Sequence, residues 1–166
     1  MRRFAMGLLL FGACAAPVGE SGSDAGSVVD AGAADAGHVE DAGSVDETPD
    51  EYVAGMEKAG ADGHFRLALI QSDPIPQDLT LYTWLIEVRD AEGQPIDVDE
   101  VVAEPTMPDH GHGTFPAFTP GVPAEGTGRY TLTEMDLFMA GVWRIELVIR
   151  NGETEDHVVF NFELTN

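Results

Sequence analysis

Three residues within six positions, Met107, His110 and His112, carry the donor atoms of a soft-metal site: one thioether sulfur and two imidazoles. They stand in residues 104–113, E-P-T-M-P-D-H-G-H-G, where prolines stiffen the entry and glycines let the backbone fold closely around whatever the side chains surround. Two histidines at i and i+2 point the same way if that piece is extended. Thioether sulfur favours Cu(I), whereas zinc prefers thiolate, imidazole or carboxylate. A second sulfur, Met139, lies two residues before Gly141 at the start of a predicted strand, whose end could carry it toward the histidine loop. His64 and His157 both lie at strand starts and read as surface residues, His64 being the better placed of the two as an additional ligand, and His38 falls in the linker and carries no role. Each feature also has a plain reading. A His-Gly-His loop can be an exposed polar turn, and a Met beside Phe and Leu can be core filler.

The elements that must position these residues lie in residues 52–166, which carry 20 acids and 6 bases. Their hydrophobic period is two over most of the length, with turn residues at the spacing of an all-β sandwich of about seven strands. Phe65, Leu67 and Leu69 alternate on a first strand, and Tyr82, Trp84, Ile86 and Val88 on a second. A third runs from about Ile96 to Glu104. Tyr130 and Leu132 mark the next, then Trp143, Ile145, Leu147 and Ile149 share one face, and Val158, Phe160, Phe162 and Leu164 the last. Asn151-Gly152 predicts a hairpin with a type I′ turn, since both residues tolerate positive φ. Residues 50–59 are the one stretch where a short helix is conceivable.

Before this domain stand two segments of different character. Residues 1–13 read as an export signal: Arg2 and Arg3 supply a cationic start, and the apolar stretch after them is far too short to span a bilayer. The run ends in Leu10-Phe11-Gly12-Ala13 before Cys14, the only cysteine, and resembles a bacterial lipoprotein signal in which Cys14 is lipidated. Lipidation would leave the exported chain without a free thiol. Residues 14–51 repeat Asp-Ala-Gly four times, contain ten acids and no base, and cannot bury enough apolar surface to offset their ordering entropy. They read as a disordered tether, whose coil span of about 30 to 37 Å would hold a domain off a membrane. Localisation follows as the cell envelope, lipid-anchored, on the periplasmic side or at the outer membrane.

A formal net charge of -22 excludes a nucleic-acid binder, because a phosphate backbone needs clustered Lys and Arg. Anionic membrane surfaces are poor partners for the same reason, leaving the lipid as the only membrane contact. An enzyme is not expected either. Residues 52–166 contain one serine, Ser72, with no glycine elbow around it, and no cysteine, so nucleophilic catalysis lacks a nucleophile.

The order D-x-x-G-Q-P (Asp90, Gly93, Gln94, Pro95), M-P-x-H-G-H-G (Met107 to Gly113), G-x-Y (Gly128 to Tyr130) and F-M-x-G-x-W (Phe138 to Trp143) resembles the YtkA-like family, related in pattern to the periplasmic domain of FixH-type proteins. That resemblance covers roughly Gly60 to Leu164 and implies an immunoglobulin-like β-sandwich. It also implies copper handling, with Met107, His110, His112 and Met139 as the metal ligands. Two readings follow. In the first, the protein is an envelope lipoprotein that binds one Cu(I) and passes it to a copper-accepting envelope protein. In the second, the same sandwich is a structural or interaction module without specific metal binding. Oxidation-state preference separates them, since paired histidines alone take Cu(II), nickel and zinc weakly and indiscriminately.

Overall fold

A computed structural model describes residues 48–165; the expected export signal, Cys14, His38 and the expected tether through residue 47 lie outside the described residues. The alternating apolar rows build two antiparallel sheets packed face to face. In the first, β1 (Met56–Ala59), β2 (Phe65–Asp73), β3 (Thr80–Asp90) and β8 (Arg129–Leu137) lie in that order, with the two-residue β7 (Val122–Pro123) on the edge. In the second, β10 (Thr154–Leu164), β9 (Gly141–Asn151) and β4 (Glu100–Met107) are neighbours, and the short β5 (His112–Gly113) and β6 (Thr119–Pro120) both pair with β4. The expected all-β sandwich is therefore present, with seven strands of four or more residues and three two-residue ones among the described residues.

Between the sheets, Trp84 sets its ring edge-on to Phe160 and Phe162, at centroid separations of 6.0 and 5.7 Å. Burying a tryptophan of about 150 to 250 Å² is worth roughly 4 to 6 kcal/mol. Its indole N–H finds no hydrogen-bond partner, at a cost of about 1 to 3 kcal/mol, so packing wins.

Several local expectations are corrected. Residues 50–59 are not helical: Asp50 exchanges backbone and carboxylate hydrogen bonds with Asn161, and Met56–Ala59 is strand β1, held by its ladder with β2. The strand predicted from about Ile96 begins instead at Glu100 and continues through Pro105 to Met107. The carboxylates of Asp97 and Asp99 take the amides of Gly128 and Gly152, so side-chain bonds hold residues 97–99 until the Asp99 N–H reaches the Arg150 carbonyl and the ladder with β9 begins. The β9–β10 hairpin is where it was expected, shifted by one residue. Asn151 pairs with Thr154, so Gly152 and Glu153 form the turn, and only Gly152 has positive φ, as in type II′.

Tyr130 adds a side-chain fastening at the same end. Its hydroxyl accepts the Val98 N–H at 2.7 Å and donates to the Val98 carbonyl at 2.9 Å. Tyr130→Phe is expected to lower stability by about 1 to 2 kcal/mol in urea unfolding, since both backbone groups of Val98 lose their partner. Metal affinity should not change, because Tyr130 lies at the end of β8 remote from the histidine loop.

Candidate metal centre

Along β4, the inward row Val101, Ala103, Pro105 and Met107 continues the core, and Met107 is only 1% exposed. Pro108 then breaks the ladder and opens a single 3-10 turn, Pro108–His110, closed by Gly111 at φ 66°. The chain returns as β5, pairing His112 with Met107 and Gly113 with Thr106. A Cβ on Gly113 would lie 2.6 Å from the Pro105 carbonyl oxygen, so only glycine permits so close a return. The loop is thus a turn, not the extended piece that would align histidines at i and i+2. The two rings meet nonetheless, with centroids 5.7 Å apart and nearly perpendicular planes.

Met139 reaches this end from the other sheet. A β-bulge in β8, where Thr133 and Glu134 together oppose Thr83, places Glu134 at φ 59° and shifts the inward phase to Met135 and Leu137. Phe138 and Met139 consequently emerge at the surface, and the Trp143 indole N–H fastens their turn by donating to the Met139 carbonyl at 2.8 Å. Trp143 also packs edge-on against His112, at 6.4 Å between centroids.

At the centre stands Gly141. A Cβ there would be 2.9 Å from Met107 Cε and 3.9 Å from His110 Nε2, so both side chains converge on the space that the missing methyl leaves. Beside it, His112, Phe115, Asp136, Phe138, Met139 and Trp143 line a shallow cavity of 190 Å³. The four candidate ligands therefore gather at one end of the sandwich in two pairs: Met107 with His110 over Gly141, and His112 with Met139 beside Trp143. Among the described residues, no three His, Cys, Asp or Glu side chains form a group able to hold a metal. What the fold assembles here is imidazole and thioether, a donor set suited to Cu(I).

The remaining histidines lie elsewhere. His64 is at the opposite end, since Phe65 pairs with Asp90 at the far end of β3, and its amide is bound by Asp156; it does not join the site. His157 is half-buried between Glu146 and Glu155, at 2.8 and 3.3 Å. Burial pushes its pKa down, but these two carboxylates outweigh that and raise it. A larger concavity, of 640 Å³, opens around Glu87, Pro95 and Arg129 at the far end, where Glu87 is already paired with Arg89 and Arg129.

Two contributors escaped the sequence reading, Gly141 as the space-maker and Trp143 as the clamp on Met139. Their only advance signal was the F-M-x-G-x-W run itself. No curated protein and no solved structure gave a match. A family model described as YtkA-like matches residues 61–148, more than half of the sequence, spanning β2 to most of β9 and including all four candidate ligands. The chain belongs to the YtkA-like family.

Proposed function

We propose that this protein is a non-catalytic Cu(I) carrier of the bacterial cell envelope, anchored through lipid on Cys14, with Met107, His110, His112 and Met139 as the candidate ligands. The observation that carries the reading is the convergence of Met107 Cε and His110 Nε2 on the side-chain-free position at Gly141. A buried thioether beside a solvent-accessible imidazole gives a soft ion a floor and a lid, and the exposed His112 and Met139 leave a route for its transfer. The charge of the domain concentrates cations around it. Copper is cargo in this reading, and the residues serve to hold it in its reduced state and release it to an acceptor.

X-ray absorption at the copper edge of the Cu(I)-loaded chain tests this. A mixed shell of nitrogen and sulfur neighbours is expected, losing sulfur in Met107→Leu and Met139→Leu. A shell of nitrogen alone, unchanged by either substitution, would favour the reading as an interaction module that binds copper only incidentally through its histidines.

A further inference from the structure

The six phenylalanines of residues 52–166 divide evenly. Phe65, Phe160 and Phe162 are in the core, while Phe115, Phe118 and Phe138 are exposed by 94%, 56% and 56%. Phe115 and Phe138 sit at the candidate metal end, and Phe118 lies next along the same side, before Thr119, which pairs midway along β4. Phe115 and Phe138 line the cavity that holds His112 and Met139, and Phe118 lines the neighbouring concavity beside Thr133 and Glu134 of β8. Met139, itself 42% exposed, and Val122, 58% exposed, extend the same apolar strip. Exposed aromatics grouped in one place mark an interaction surface, whereas scattered ones need no explanation.

Charge selects the occupant. Every base of the domain is bonded to carboxylates away from this strip: Lys58 to Asp50, Arg66 to Glu57, Arg89 to Glu57 and Glu87, Arg129 to Glu87, Arg144 to Glu146, and Arg150 to Glu100 and Glu155. Glu134 and Asp136 line the two concavities and Asp109 stands in the turn before His110, and among the described residues none of the three forms an ion pair with a Lys or Arg. An apolar centre within an uncompensated acidic rim repels a second copy of this chain, the acidic tether and an anionic membrane alike. The geometry points to a protein partner with a basic rim around an apolar face, docking over Phe115, Phe118, Phe138 and Met139, so that His112 and Met139 meet its surface. The inference rests on the copper-carrier reading for what is handed over, but the surface itself is tested without metal.

Two synthetic peptides serve as probes, each with a Leu-Trp-Met centre, one flanked by four lysines and its twin by four glutamates. They are titrated by NMR into the metal-free chain from residue 14 onward carrying Cys14→Ser. At low ionic strength the lysine peptide should bind at least ~10-fold more tightly than its twin, with shifts centred on Phe115, Phe118, Phe138 and Met139. The double variant Phe115→Ser, Phe138→Ser should lose at least ~10-fold of that affinity. Neutralising Asp109, Glu134 and Asp136 should weaken binding more than neutralising Glu92, Glu125 and Glu153 at the far end. No preference between the peptides, equal effects of the near and far triple variants, or affinity unchanged in the double phenylalanine variant would each overturn the proposal, the last two by assigning binding to the tether or the overall field. Cu(I) binding of the same samples is measured separately. Tight copper binding without a peptide footprint removes only the docking surface, and a footprint without copper binding removes only the carrier reading.

Discussion

Asp156→Asn is expected to destabilise the domain by about 3 kcal/mol, read as a lower urea midpoint at unchanged slope. Asp156 is fully buried, and its two oxygens accept four backbone N–H groups: Asp62 at 2.9 Å, His64 at 2.8 Å, Phe65 at 3.0 Å and His157 at 2.8 Å. The chain of residues 60–65 closes so tightly around the carboxylate that a Cβ on Gly60 would fall 2.1 Å from Asp156 Oδ2. One side chain of β10 thereby binds the β1–β2 connection of the opposite sheet. An asparagine keeps the size but turns an amide N–H₂ toward backbone donors, leaving some of them buried without an acceptor. Burial pushes the Asp156 carboxyl up, yet the four amides outweigh it and hold it below the ordinary aspartate value. The sign follows: this stabilisation is complete above about pH 4, the unfolded aspartate range, and is lost as pH falls through the lower folded value. The gap in stability between parent and Asp156→Asn should therefore be constant at neutral pH and narrow in acid. A gap that stays constant into acid would contradict a buried ionised carboxylate.

Gly141→Ala should act on the proposed metal site. Gly141 has φ 128°, a region that L residues avoid, so an added Cβ strains the backbone by about 1 to 3 kcal/mol. The same methyl would stand 2.9 Å from Met107 Cε, and Met107 is too deeply buried to swing aside freely. Thioether and imidazole are then forced apart. Cu(I) affinity should fall at least ~10-fold, the equivalent of about 1.4 kcal/mol, while weak Cu(II) binding at the exposed His110 and His112 persists. Equal Cu(I) affinity in parent and variant, both folded by circular dichroism, would place the ion away from Gly141.

How far these features were legible differs from residue to residue. The rows through Trp84, Ile145 and Phe160 are plain because period two over nine or more residues is a long, redundant signal, and the sandwich follows from them. Residues 56–59 were not legible as a strand, since good helix formers stand there and only the partner β2 decides the matter. The bulge at Glu134 is equally hidden: nothing in T-L-T-E-M-D-L says where one residue slips, yet that slip sends Phe138 and Met139 to the surface. At the candidate site, Met107, His110 and His112 stood out by spacing, while their arrangement depended on Pro108 and Gly111 making a turn. His64 is exposed, as expected of a surface residue, but its distance from the loop was not legible, because which end of the sandwich a strand start occupies depends on the ladder register. Asp156 could not be singled out among 20 acids, because its weight comes from a loop more than ninety residues away.

Competition for Cu(I) against a chromogenic chelator, without oxygen, tests the central claim most directly. The chain from residue 14 onward with Cys14→Ser is compared with the same chain carrying Met107→Ala, His110→Ala and His112→Ala. The account predicts that the parent withdraws one equivalent of Cu(I) from the chelator and that the folded triple variant does not. Equally weak competition by both would contradict it and leave the end bearing His112 and Phe115 as an interaction surface alone.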